Sequence, residues 1–166
     1  MGIKLGITGL GRIGKLVLRA ALEYPDIEVR AINAVAEPEH LVYLIKYDTT
    51  HGRFNREISY TKDSIIIDGR EIRLFSERNP ANIDWPSAGV EHLIDATGLF
   101  ATLEKAQAHL DSGVKKVVLT SPSDDAPMFV MGVNEETYDS SMKIVSNASC
   151  TTNCLAPVAK ILNDKW

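Results

Sequence analysis

Ile3-Lys4-Leu5-Gly6-Ile7-Thr8-Gly9-Leu10-Gly11-Arg12-Ile13-Gly14 is the stretch on which the fold turns. Ile3 to Thr8 is short, apolar-rich and β-branched, and beyond the glycines Ile13, Val17, Ala20, Ala21 and Tyr24 repeat at helical spacing. Strand, glycine turn and helix are expected in that order. In such a turn Gly9 makes the sharp bend, Gly11 lets the backbone approach a pyrophosphate, and Gly14 lets helix and strand pack closely, with the diphosphate at the helix N-terminus. A bare G-x-G-x-x-G can equally be a turn that merely packs well. The strand before it and the helix after it are the context that the dinucleotide fingerprint requires.

Pro25-Asp26 breaks the helix, and Glu28 to Asn33 reads as a second, parallel strand that completes a βαβ unit. Dinucleotide folds place an acidic residue at the end of that strand, about 20 residues past the glycines, to hold the adenosine ribose hydroxyls. Here the strand closes on Asn33 and Ala34, and both are assigned to the cofactor groove. Ala34 can neither bond a ribose 2′-hydroxyl nor repel a 2′-phosphate, so NADP is expected to be tolerated beside NAD, with a slight lean toward NADP. Ile65-Ile66-Ile67-Asp68-Gly69-Arg70-Glu71-Ile72-Arg73-Leu74 is two strand-like runs about an Asp-Gly turn. Gly89 to Asp95 is a further strand, ending in Ala96-Thr97-Gly98-Leu99-Phe100, a small-residue turn where backbone can approach the cofactor and from which Thr97 and Gly98 are assigned to it. Lys116 to Thr120 is another, and Pro127 to Asn134 is expected to be extended, with its Met and Phe in the core. The fold class that emerges is α/β: a Rossmann-type, doubly wound, mostly parallel sheet with an antiparallel hairpin appendage. Strand ends along one edge make its site.

With 166 residues and 45% hydrophobic content the chain suits one domain. A net charge of −4 gives no general attraction to nucleic acid or anionic membrane, so any phosphate binding must come from local geometry. No run approaches the roughly 18 apolar residues of a span, and Met1-Gly2-Ile3-Lys4 leads straight into strand-like sequence, from which a cytoplasmic location is expected. Two cysteines four apart suit a reducing compartment better than a disulfide framework, and they lack the four-ligand arithmetic of a zinc site; no metal is expected.

The chemistry gathers in Ser146-Asn147-Ala148-Ser149-Cys150-Thr151-Thr152-Asn153-Cys154, where an extended segment gives way to a helical pattern. A thiol at such a turn can sit over free helix N–H groups, whose positive potential favours the thiolate, the form that attacks carbon. Ser149 and Thr151 flank it with hydroxyls for an anionic substrate or product. A small buried apolar cysteine is the bland alternative, and Cys154, one turn further in, is expected to be buried. Pro157 leaves two helix starts open, Cys150 with a kink or nearer Ala156 without one. Val158, Ile161 and Leu162 form an apolar face expected to stay partly exposed.

Ser146 to Pro157, the glycine turn, Lys46 to Phe54, Asn79 to Ile83 and Ser121 to Asn134 resemble phosphorylating glyceraldehyde-3-phosphate dehydrogenase, and the resemblance runs from Ile3 to Lys165. It implies that Cys150 attacks a phosphorylated aldehyde to form a thiohemiacetal, that a hydride passes to the nicotinamide, and that inorganic phosphate releases the acyl group from the resulting thioester. It further implies that Arg12 and Ile13 cover the cofactor diphosphate through backbone groups, that Arg78 contacts the adenine end, and that Thr120 lines the rest of the groove. The related erythrose-4-phosphate dehydrogenases share the cysteine string, but Asp125 to Gly132 looks more like the glyceraldehyde enzyme. In the family the catalytic histidine lies in a second domain. Residues 1–149 are therefore expected to be an NAD(P)-binding domain and residues 150–166 the first helix of a catalytic domain otherwise absent, inactive alone and homo-oligomeric, as the tetrameric full-length family is. A stand-alone nucleotide-binding or scaffold module is the alternative.

Overall fold

β1 (Ile3–Thr8) is buried from Leu5 to Thr8 and pairs in parallel with β2 (Ile27–Asn33) on one side and β6 (His92–Asp95) on the other. The computed structural model in which this is seen describes residues 2–166; Met1, and with it the expectation drawn from the first residues, lies outside them. α1 (Arg12–Ala21) links β1 to β2, and α3 (Leu103–Asp111) links β6 to β7 (Lys116–Leu119), which pairs in parallel with β8 (Ile144–Ser146). With β3 (Ile58–Tyr60), β4 (Ser64–Ile67) and β5 (Arg70–Phe75), the strands lie in the order β3-β4-β5-β2-β1-β6-β7-β8. The chain winds outward from β1 to β2 and then returns to the other side of β1. Strand order therefore reverses between β1 and β6, the switch point at which doubly wound sheets open a ligand crevice.

The hairpin turns on Asp68 and Gly69, both at positive φ (50° and 75°), the geometry that an Asp-Gly pair accommodates. It is more than an appendage. β5 also pairs in parallel with β2, Ala31 opposite Arg73, so the main sheet runs through it, and β3, too short and polar to stand out in the sequence, adds an antiparallel edge. Ile65, Ile67 and Ile72 pack in one core cluster with Leu18 of α1 and with Leu41 and Ile45 of α2 (Pro38–Lys46). A second cluster is built on Trp85, Leu93, Ala106, Val117 and Leu119.

Several local expectations need correction. The buried stripe of α1 is Gly14, Lys15, Leu18 and Ala21; Ile13 is 51% exposed, and Tyr24 lies past the helix end at 62%. Gly89 is a left-handed residue (φ 73°) that ends a 3₁₀ turn, and β6 begins only at His92. Pro127 to Val130 is extended, but Met131 to Asn134 turns, and Met128 and Met131 are exposed rather than core because no element covers them.

α4 (Cys150–Lys165) begins at Cys150 with Pro157 in its interior, which decides between the two possible starts. It buries no residue fully. Val158, Ile161 and Leu162 are 55–59% exposed, as expected, while Lys160 Nζ donates to the Val133 carbonyl at 3.0 Å and ties the helix to the Met131–Asn134 turn.

Candidate functional site

One row of paired residues crosses the sheet at its C-terminal edge: Phe75 opposite Asn33, Asn33 opposite Thr8, Thr8 opposite Asp95, Asp95 opposite Leu119, and Leu119 opposite Ser146. Six strands therefore end level with one another. Gly9, Ala34, Arg78, Thr97, Thr120 and the Ser149–Cys150 pair all fall within four residues beyond that row. Sequence positions far apart are thus drawn onto one edge by register alone.

The glycine turn has the shape expected of it. Gly9 has φ 83°, and a Cβ there would stand 2.9 Å from the backbone of Ala96 and Thr97 at the end of β6. A Cβ on Gly14 would stand 1.8 Å from the Gly9 carbonyl oxygen, so α1 can rest against the turn only with glycine at that position. Gly11 differs: its φ is −73° and a Cβ there would meet nothing within 4 Å. No packing within the chain calls for glycine at 11, and the space beside it is open. Gly11 is also the N-cap of α1 and makes no side-chain cap, which leaves first-turn N–H groups to an outside acceptor. The Arg12 side chain is engaged elsewhere, with Asp48 at 3.4 Å and Thr50 at 3.0 Å. What Arg12 and Ile13 can offer an anion is therefore backbone. Lys15, nearly buried, is bound to Asp48 at 2.9 Å. The His51 N–H, followed by the Lys15 ammonium, holds the Asp48 carboxyl well below the usual carboxylate range.

Beside the switch point a groove is lined by Thr8, Gly9, Asn33, Ala34, Val35, Glu77, Arg78, Pro80, Ile83, Thr97, Leu99, Phe100 and His109. Asn33 serves as a latch within it. Its amide donates to Thr8 Oγ1 at 3.1 Å and to the Glu77 carbonyl at 2.9 Å, and its Oδ1 accepts from the Glu77 N–H at 2.9 Å, which fixes the loop carrying Arg78. Ala34 is 7% exposed, with its N–H bound to the Phe75 carbonyl. Thr97 folds back on Asp95, and Gly98 turns at φ 69°. Of the residues assigned from sequence, Gly9, Asn33, Ala34, Arg78 and Thr97 line this groove. Gly11 to Gly14, Thr120 and the cysteine segment lie on the same edge but outside it. Leu99 and Phe100, from the turn expected to approach the cofactor, line it too, whereas Glu77 and His109 were not foreseen, since nothing local marks a residue brought to a groove by packing.

At the far end of the row, Ser146 Oγ donates to the Ser121 carbonyl and accepts the Ala148 N–H, while the Asn147 N–H bonds Leu119. Ala148 is buried with φ 56°, a left-handed conformation that costs an alanine about 1–2 kcal/mol and swings the chain from β8 into α4. An alanine gives no sequence signal of this. Ser149 is the N-cap: its Oγ accepts the Thr152 N–H at 3.0 Å and lies 2.9 Å from Thr151 Oγ1. Asn153 clamps the turn through the Asn147 and Ser149 carbonyls. Cys150 therefore stands exposed at the first helical position. Cys154 is exposed as well, against expectation, because nothing packs on this side of α4. Both are free thiols. Among the described residues no cluster of His, Cys, Asp or Glu is arranged to hold a metal, and no helix is long and apolar enough to cross a membrane.

From the groove, centred on the ends of β1 and β2, to the end of β8 is three to four strand spacings, about 14–19 Å. A ligand that occupies the groove and reaches Cys150 must be extended.

Similarity to known proteins gives the chain a family. The profile of the glyceraldehyde 3-phosphate dehydrogenase NAD binding domain matches residues 3–103. Over the whole chain the sequence is 56% identical to glyceraldehyde-3-phosphate dehydrogenase of Debaryomyces hansenii, 55% to that of Wickerhamomyces ciferrii and 52% to that of Coccidioides posadasii, covering 50% of each relative. The chain thus spans about half the length of the curated relatives it matches. A turn built for close approach at Gly9 and Gly14, the groove beside it and the match from residue 3 to 103 have one common explanation, and the chain belongs to the glyceraldehyde 3-phosphate dehydrogenase family through its NAD-binding domain.

Proposed function

We propose that this chain is the nucleotide-binding part of a phosphorylating glyceraldehyde-3-phosphate dehydrogenase and that it carries the nucleophile, Cys150. The level row of strand ends supports this best, since it sets a groove for one end of an extended dinucleotide and an exposed thiol toward the other. Residues 1–149 form the cofactor domain, and α4, which buries no residue fully, starts the catalytic one. Gly11, Arg12 and Ile13 offer backbone N–H groups to the diphosphate, while Ala34, Arg78, Thr97 and Gly98 surround the adenosine. Thr120, whose N–H is held by the Asp95 carbonyl, borders the path toward Cys150. Cys150 Sγ attacks the aldehyde carbon to give a thiohemiacetal. The nicotinamide, when bound, supplies the hydride acceptor. The acyl group then rests on Sγ as a thioester until an inorganic phosphate oxygen takes it and the thiolate leaves. The Thr151 hydroxyl is the one best placed for a substrate or phosphate oxygen; Ser149 acts chiefly by shaping the turn, as its oxygen is already occupied by the cap. Homo-oligomeric assembly and a cytoplasmic location, which suits two free thiols, belong to the same proposal.

Labelling tests the nucleophile. Iodoacetamide should modify Cys150 several-fold faster than Cys154, because Cys150 sits at the helix N-terminus and Cys154 one turn in. Both are exposed, so access does not set the order. Equal rates in peptide mass mapping count against Cys150.

Nucleotide titration tests the groove. With Ala34 where a carboxylate would discriminate, NADP should bind within tenfold of NAD, a gap below about 1.4 kcal/mol. Ala34→Asp should move the ratio at least tenfold toward NAD. An unchanged ratio would show that residue 34 does not face the ribose.

A further inference from the structure

We propose that His109 is a positioning residue of the nucleotide groove, holding the Thr97–Leu99 wall in place through Asp95; the inference rests on the groove being the nucleotide site. His109 is 0% exposed, on α3, and its Nε2 lies 3.3 Å from Oδ2 of Asp95, itself 2% exposed. The other oxygen of Asp95, Oδ1, accepts from the Thr97 N–H at 2.7 Å and from Thr97 Oγ1 at 2.6 Å, and Thr97 Oγ1 in turn accepts the Leu99 N–H at 3.1 Å. The imidazole also stands edge-on to the Phe100 ring, centroids 4.8 Å apart at 74°. Thr97, Leu99, Phe100 and His109 all line the groove. One buried carboxylate thus connects a histidine of the groove to Thr97 and, through it, to Leu99, while the imidazole itself meets Phe100.

The ordinary reading is a histidine that fills core volume. Against it stands the cost of the position. His109 Nδ1 is buried with no partner, a penalty that a leucine or methionine would avoid. What the imidazole brings is an N–H for Asp95, whose two oxygens accept from Thr97 and His109. Without the His109 donor, Oδ2 of a buried carboxylate is left unpaired, and Asp95 must turn, releasing the Thr97 contacts that set the wall. The role assigned to His109 requires the proton on Nε2, with Nδ1 as the unpaired acceptor.

Two variants of matched size separate this from packing. Gln at 109 can present an N–H near the place of Nε2, and Met fills similar space without a donor. NAD binding to the 166-residue chain, measured by titration calorimetry beside melting curves, should weaken at least tenfold in His109→Met and by less than threefold in His109→Gln. Equal affinities in the two variants, whatever their melting temperatures, overturn the proposal. A measurement that needs no variant is the ¹⁵N spectrum of the wild-type imidazole, which should report the Nε2–H tautomer; the Nδ1–H tautomer overturns the proposal too. Wild-type protein that binds no NAD would instead sink the nucleotide reading on which this rests, so the two failures are told apart.

Discussion

Given glyceraldehyde 3-phosphate, NAD and inorganic phosphate, the 166-residue chain is expected to turn over roughly 10²–10⁴-fold more slowly than a full-length relative, the usual worth of a positioned general base. The reason lies in where its own histidines are. His51 is engaged with Asp48 at 3.3 Å, His109 is buried against Asp95, the Nδ1 of His92 is buried on β6, and His40 lies on α2, none of them on the β8–α4 turn that presents Cys150. Ser149, Thr151, Thr152 and Asn153 hydrogen-bond among themselves or to backbone, and a hydroxyl is a poor base at neutral pH. The thiol should still be alkylated and the groove should still bind nucleotide, so loss of turnover with retained binding is the expected pattern. Rates close to those of a full-length relative, in material purified free of any host enzyme, would mean that one of these four histidines reaches Cys150 after all. Loss of nucleotide binding as well would favour a scaffold module.

The second large effect concerns Gly14. A methyl group there would lie 1.8 Å from the Gly9 carbonyl oxygen and 3.3 Å from the Ala96 Cβ, and the nearest of these atoms is backbone, which cannot rotate away as a long side chain can. Gly14→Ala must therefore push α1 off the end of β1 or unwind its first turn. The cost should reach at least the upper end of ordinary overpacking, about 3 kcal/mol. For a chain of this length that lowers the melting temperature by about 6–12 °C, and NAD binding should be lost because the helix N-terminus moves with the turn. Gly11→Ala is the matched control. Its Cβ has open space, so melting should hardly change, yet affinity should fall at least tenfold if a diphosphate passes there. A Gly14→Ala protein that melts as wild type would contradict the packing, and a Gly11→Ala protein that binds as wild type would contradict the phosphate site.

Much of the architecture was legible locally, and the reason is periodicity. Ile3 to Thr8 followed by G-x-G-x-x-G and the Asp68-Gly69 turn are each determined by neighbours a few residues apart. The misses share a different cause. The stripe of α1 was misjudged by one position because Ile13 and Tyr24 are apolar yet face away from the sheet, while Gly14 and Lys15 face inward for reasons of close approach and of the Asp48 partner. Cys154 and Met131 looked like core residues by type, but burial depends on what lies opposite, and nothing packs there.

The sequence by itself determined that this is a dinucleotide-type α/β chain with a cysteine at a strand-to-helix turn, since glycine spacing, alternation and capping act over a few residues and need no distant partner. Tertiary structure alone decided which residues meet. Register across six strands levels Asn33, Thr8, Asp95 and Ser146 on one edge, the Asn33 latch carries Arg78 to the groove, Asp95 joins His109 to Thr97, and a left-handed Ala148 lifts Cys150 into the open. The cross-strand pairs, the Asn33 latch and the His109–Asp95 contact join residues 14 to 87 positions apart, the Ala148 strain is imposed by the surrounding fold, and no local pattern encodes them.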